Sequence, residues 1–135
     1  MKRLLFVVLL ITCSASWAEW ELCGATGKGD ENTLYFCDTS TIRRNGAISR
    51  MWRMNSNSNL QRDPYGDRYM SVKSLWAYNC IDETGVTISV ISYSKSMGEG
   101  KVVRSVTLKE RDWRWGPIVP GSVSETSWKI ACGRK

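Results

Sequence analysis

Apolar and polar residues alternate along much of this chain. Val86, Ile88 and Val90 are interleaved with Thr87 and Ser89, so residues 86–94 predict a strand with one apolar face. Other short runs of strand-forming residues are bounded by Gly, Asn, Asp and Ser. They predict strands over 20–26, 33–38, 47–55, 70–80 and 101–108. Gly27-Lys28-Gly29-Asp30-Glu31-Asn32 turns the first strand into the second, and Asn45-Gly46 leads into the third. Residues 56–67, with Pro64 and Gly66, read as a polar loop.

The period changes only near the end. Trp128, Ala131 and Cys132 share one helical face at i, i+3 and i+4. Ser122 and Glu125 fit a capping box, in which each side chain satisfies the other's free backbone N–H. Gly133 suits the stop, and Lys129, Arg134 and Lys135 complement the negative end of the helix dipole. A helix this short is marginal alone in water, so something must tie it to the sheet. The predicted fold class is α+β: a single antiparallel sheet of about six strands with a short C-terminal helix packed on one face, stapled by disulfides.

The first residues follow another logic. Lys2 and Arg3 precede an unbroken apolar run, Leu4 to Ile11, and Ser16-Trp17-Ala18 offers small residues where a signal peptidase reads. The run is far short of the ~20 residues a membrane-spanning helix needs. Residues 1–18 are therefore expected to be a cleaved leader and 19–135 one exported domain. A lipoprotein signal is the competing reading, because Cys13 follows Leu10-Ile11-Thr12; Thr12 stands where Gly, Ala or Ser is usual.

Cleavage would remove Cys13 and leave Cys23, Cys37, Cys80 and Cys132, an even set suited to two disulfides in an oxidising compartment. With no histidine and no C-x-x-C pair, zinc and other metals are not expected. In a hairpin centred on Asp30, Cys23 and Cys37 would face each other directly, ~4.5 Å apart at Cα in a non-hydrogen-bonded pair. That leaves Cys80 for Cys132. Two other connectivities exist.

Charge and aromatic content narrow the function. Losing Lys2 and Arg3 with no acidic residue takes the formal charge from +6 to +4. Arg43, Arg44, Arg50, Arg53, Arg62, Arg68, Lys73, Lys95, Lys101, Arg104, Lys109, Arg111 and Arg114 are spread along the chain. They read mainly as solvated surface, with a cationic patch for heparin-like glycans or acidic matrix segments as the functional alternative. Arg50 and Arg53 belong to opposite faces of the third strand. Trp52, Trp76 and Trp128 are expected in the core. Trp113 and Trp115 flank Arg114 and share a face, where they either cap the sheet or anchor a partner. Lys28-Gly29-Asp30 at the first hairpin tip resembles the short basic-Gly-Asp triplets that integrins read.

Enzyme chemistry finds little support. Without histidine the commonest general base is missing, and no nucleophile elbow or phosphate loop is present. Ser92-Tyr93-Ser94-Lys95 matches S-x-x-K, but at the end of a strand its Ser and Lys point to opposite faces. Asp63/Asp67 and Asp82/Glu83 sit in turns and read as solvated. No catalytic residue and no cofactor is expected.

An ordered set of short stretches resembles the surface-adhesin protein E family of Gram-negative bacteria. It runs from Asp38-Thr39-Ser40-Thr41-Ile42-Arg43-Arg44-Asn45-Gly46 through Met51-Trp52, Ser71-Val72-Lys73-Ser74-Leu75 and Tyr78-Asn79-Cys80. Tyr93-Ser94, Met97-Gly98-Glu99-Gly100-Lys101-Val102-Val103, Ile118-Val119-Pro120-Gly121-Ser122 and Cys132-Gly133 complete it. The resemblance implies an antiparallel sheet with a C-terminal helix pinned across it by a disulfide, and allows homodimers. It also implies a non-enzymatic binding protein, with host matrix or plasma proteins such as vitronectin, laminin and plasminogen as partners. The chain departs from the family pattern in carrying the Cys23/Cys37 pair, and in Ala77, where an acidic residue is common. The candidate binding surface is Trp113, Arg114, Trp115, Arg43, Arg44 and Lys28, with a protein rather than nucleic acid as partner. The alternative is an envelope accessory protein with a bacterial partner. The destination is the periplasm or the outer cell surface.

Overall fold

The computed structural model describes residues 19–135. The expected leader and Cys13 lie outside the described residues. Strands β1 (Trp20–Lys28), β2 (Glu31–Asn45), β3 (Ile48–Arg62), β4 (Arg68–Asn79), β5 (Thr84–Tyr93) and β6 (Val102–Thr107) follow in order. A two-residue strand β7 (Gly116–Pro117) and helix α1 (Val123–Cys132) end the chain. The strands form one antiparallel sheet in sequence order, β1 to β6, and β7 joins the free end of β5. This is the α+β, disulfide-stapled fold the sequence predicts.

Two strands run further than their apolar pattern suggests. β2 continues to Asn45, and β3 continues to Arg62 through most of the expected polar loop. Polar side chains carry that stretch by bonding across strands. Thr33 Oγ1 donates to Asn57 Oδ1 (2.7 Å), Asn57 Nδ2 to the Met70 carbonyl (3.0 Å), and Ser58 Oγ to the Asp30 carbonyl (2.7 Å). The β2 ladder reaches Asn57 and the β4 ladder resumes at Gln61–Tyr69, with these side-chain bonds in the gap between. Beyond it, Arg104 bonds Asp63 at 2.9 Å and also Asp67, and its guanidinium lies 4.3 Å from the Tyr65 ring. The paired aspartates of this turn are thus a clamp onto β6.

Both predicted disulfides form, with Cα–Cα distances of 5.9 Å for Cys23–Cys37 and 5.6 Å for Cys80–Cys132. The expected register for the first is not the observed one. The hairpin turns on Gly29–Asp30, and its ladder shifts between Leu22 and Gly24, so Cys37 sits opposite Glu21. Cys23 is the extra residue of a bulge, which aims its sulfur at Cys37 although the two are not directly paired.

The helix forms where its caps place it. Ser122 Oγ accepts from the Glu125 N–H (3.2 Å), and Gly133 ends the helix with φ 64°. The reciprocal half of the box is displaced by one residue: the Glu125 carboxylate takes the N–H of Gly121, not of Ser122. Lys129 at i+4 and the Gly121 N–H hold the Glu125 carboxyl below its ordinary pKa. The helix buries Trp128, Ala131 and Cys132 against Cys37, Met51, Tyr78 and Cys80. Its polar contacts are specific: Trp128 Nε1 donates to the Asn79 carbonyl (3.0 Å) and Ser49 Oγ to the Ala131 carbonyl (2.6 Å). At Gly24 the helix comes so close that a Cβ would stand 2.9 Å from Val123 Cγ2.

The opposite face carries a second, smaller core of Ala77, Val86 and Ile88, with Ile48, Leu75 and Trp113 packed against it. β6 and β7 share the outer edge of β5, and residues 108–115 between them leave the ladder. That excursion lays Trp113 over the second core. Of the tryptophans expected inside, Trp128 is buried, whereas Trp52 and Trp76 are half-buried because each borders a surface hollow.

Candidate functional site

A bulge in β2 creates the most distinctive surface of the molecule. Up to Asp38 the β2–β3 register pairs Asp38 with Trp52; beyond it, Arg43 pairs with Arg50 and Asn45 with Ile48. Asp38 and Thr41 organise the step. Asp38 Oδ1 accepts from the Ser40 N–H (3.1 Å). Thr41 Oγ1 donates to the Asp38 carbonyl (2.6 Å) and accepts from the Trp52 N–H (3.0 Å). The inserted residues reverse the alternation. Without them Ser40 would stand opposite Arg50; with them Arg43 does, and Ile42 and Arg44 turn to the helix side.

Arg43 and Arg50 are therefore a directly opposed cross-strand pair of like charge, an arrangement that destabilises a sheet unless something offsets it. Among the described residues neither has a carboxylate ion-pair partner. Arg43 Nη1 donates to the carbonyls of Ser40 (3.0 Å) and Ile42 (2.8 Å). Arg50 instead stacks its guanidinium 5.5 Å from the Trp113 ring.

The two arginines line a recess of about 650 Å³. Trp113 and Trp115 line it too, their rings edge to face with centroids 6.2 Å apart at 69°. Ile48 and Asn45 also line it, and Glu110 supplies the one acidic side chain of the lining. Trp113 Nε1 donates to the Leu108 carbonyl (3.3 Å), which fixes its indole, while Trp115 is 40% exposed. A shallower groove lined by Thr41, Trp52 and Leu75 continues from it past the same two arginines.

The structure thus joins Arg43, Trp113 and Trp115 of the sequence-predicted surface. Arg44 borders the recess, but its guanidinium is held by the carbonyls of Gly46 (3.1 Å) and Cys132 (3.3 Å). Arg114 lies in a separate hollow with Trp76 and Ser124. Lys28 is exposed at the far end of β2 from Arg43, paired with Glu31, so the Lys28-Gly29-Asp30 tip is not part of this site. Arg50 was visible in the sequence only as one cation among many. The signal that would have singled it out is the polar Asp38-to-Thr41 stretch that resets the register. Arg53, three residues on, faces the helix: it is buried, bonds Tyr78 Oη (3.2 Å) and lies 4.6 Å from the Trp76 ring. Burial pushes the Tyr78 hydroxyl pKa up, against the opposing pull of Arg53. No group of side chains suited to a metal occurs among the described residues.

Fold and site together define a small antiparallel-sheet domain, stapled by two disulfides and carrying a cationic–aromatic recess. The sequence profile of the surface-adhesin protein E family matches residues 20–133, and the chain belongs to that family. Solved structures of Haemophilus influenzae protein E share the fold. Crystal form II aligns with a TM-score of 0.54 at 15% identity, over 73% of this chain and 80% of that one. A second structure of the protein gives 0.55 at 15% identity, over 73% and 76%. None of the curated proteins matches the chain. Among the described residues no helix is long and apolar enough to cross a membrane.

Proposed function

We propose that this chain is an exported, non-enzymatic surface adhesin that binds a host matrix or plasma protein through the face bearing Arg43, Arg50, Trp113 and Trp115. The carrying observation is the opposed pair Arg43 and Arg50: two cations held together beside exposed indole, neither in an ion pair with a carboxylate among the described residues. Local arrangements that cost stability without an internal return are expected at functional sites. Membership of the adhesin family supports the binding role, and the two disulfides fit an oxidising destination. The lack of histidine in the chain supports the non-enzymatic reading. The leader is cleaved after Ala18 on this reading, and N-terminal sequencing of exported protein checks it.

The function is tested by binding of the exported protein to immobilised matrix and plasma proteins across a salt series. Saturable binding that weakens with salt and is weakened in Arg50→Ala is the expected result. No saturable binding at any salt would overturn the adhesin reading. Protease treatment of intact cells tests location: digestion supports surface display, and full resistance supports the envelope-accessory alternative.

A further inference from the structure

We infer that the Arg43–Arg50–Trp113–Trp115 recess is a subsite for an acidic saccharide, one pyranose ring bearing a carboxylate or a sulfate. The inference deepens the proposed adhesin function and rests on the same face being the binding face. Its first ground is shape. A recess of about 650 Å³ falls in the range that encloses small ligands, whereas a protein partner alone needs a broad surface of ~800 Å². The second is the pairing of functions in its lining. Arg43 and Arg50 present guanidinium groups to an anion, and guanidinium matches carboxylate and sulfate oxygens with paired N–H donors. In the same lining, Trp115 exposes indole set edge to face with Trp113, a flat apolar surface on which the C–H face of a sugar ring can lie.

Glu110 and Asn45 decide between a sugar and an acidic peptide. Glu110 lines the recess without an ion-pair partner among the described residues. Its carboxylate accepts hydrogen bonds from ring hydroxyls, donors that the side chains of an Asp- or Glu-rich segment do not offer. Asn45 adds a donor and an acceptor to the lining. An anion-only site would have no use for either, and an apolar site would have no use for the arginines. The combination of cation, hydroxyl acceptor and exposed indole is that of an acidic, polyhydroxylated ring.

The test follows tryptophan fluorescence of the exported protein, disulfides intact, on titration with a heparin-derived disaccharide, 3′-sialyllactose, neutral lactose and a Glu-rich peptide. Saturable binding of at least one acidic saccharide is expected, with lactose and the peptide roughly tenfold weaker or more. The sulfated and sialylated arms distinguish the source of the anion. Arg50→Ala and Trp115→Ala should each weaken saccharide binding by roughly tenfold, and Lys28→Ala should leave it unchanged. Both site residues are exposed, and an unchanged thermal midpoint verifies folding. Equal binding of lactose, tighter binding of the peptide, or indifference to Arg50→Ala in folded protein would each overturn the inference. Enzymatic deglycosylation of a bound host protein separates the two readings. Undiminished binding through Arg50 sinks the saccharide subsite and leaves the adhesin standing. Saccharide binding with no host protein captured does the reverse.

Discussion

Arg50 and Arg53 lie three residues apart on β3 and have opposite fates. Arg53 is drawn under the helix and enclosed by Trp76 and Tyr78, with only 7% of its surface exposed. Arg50 points to the other face, stacks on Trp113 and remains open to solvent. The two faces of the sheet differ in the same way. On the helix side almost every group is committed to structure: Cys37, Met51, Tyr78 and Cys80 are sealed by Trp128, Ala131 and Cys132. On the other side a small apolar patch supports one indole, and neither Arg43 nor Arg50 has a carboxylate ion-pair partner among the described residues. A positive charge buried among aromatic rings serves the fold; the same charge left exposed beside an indole is available to a ligand.

Several experiments can break or sharpen that contrast, and the largest effect belongs to the helix face. Replacing Cys80 and Cys132 by serine opens a bridge spanning 52 residues and should cost roughly 4 kcal/mol by chain entropy, against roughly 3 for Cys23/Cys37, which spans 14. Urea unfolding of the two variants checks the order; equal costs would mean that α1 is held by packing rather than by its tether. Next, Met51→Ala empties a fully buried site and should cost about 3 kcal/mol. Ser122→Ala removes the side-chain cap of α1 and should cost about 1 kcal/mol.

Arg50→Ala belongs to the other face and should change stability by less than about 0.5 kcal/mol while weakening binding by roughly tenfold or more. A loss as large as that of Met51→Ala would make Arg50 a structural residue and erase the distinction between the faces. The smallest effect lies at the β3–β4 turn. Burial raises the pKa of Asp63, but N–H bonds from Asp67 and Tyr65 and the Arg104 guanidinium outweigh it, so the net shift is downward. A carboxyl lowered in the folded state stabilises that state above the ordinary carboxylate pKa of ~3.9, and the contribution is lost as pH falls through the folded value. Protection of amides in the turn, taken relative to their intrinsic exchange rates, should therefore fall below about pH 4. Asp63→Asn should flatten that acid dependence, and acid dependence surviving in the variant would assign it elsewhere.

Much of the helix face was legible in the sequence because its signals are local. Ser122 and Glu125 mark the helix start, Gly133 marks its end, and Trp128, Ala131 and Cys132 mark its buried stripe. Four cysteines left few pairings, and the correct one survived even though Cys23 sits in a bulge rather than opposite Cys37. The long β2 and β3 strands were harder to see, since Asn57 and Ser58 hold their ladder with side-chain bonds that leave no apolar trace.

The sequence by itself determined a sheet, a capped terminal helix, two disulfides and a supply of arginine and tryptophan. Which of those side chains meet was decided by tertiary structure. A bulge at Asp38 to Thr41 sets whether Arg43 or Arg44 shares a face with Arg50, and its parity depends on hydrogen bonds between residues on different strands. The excursion between β6 and β7 brings Trp113 and Trp115 to those arginines from more than 60 residues away in sequence. Periodicity assigns a residue to a face only until the first inserted residue, and it carries no information about which distant segment will cross that face.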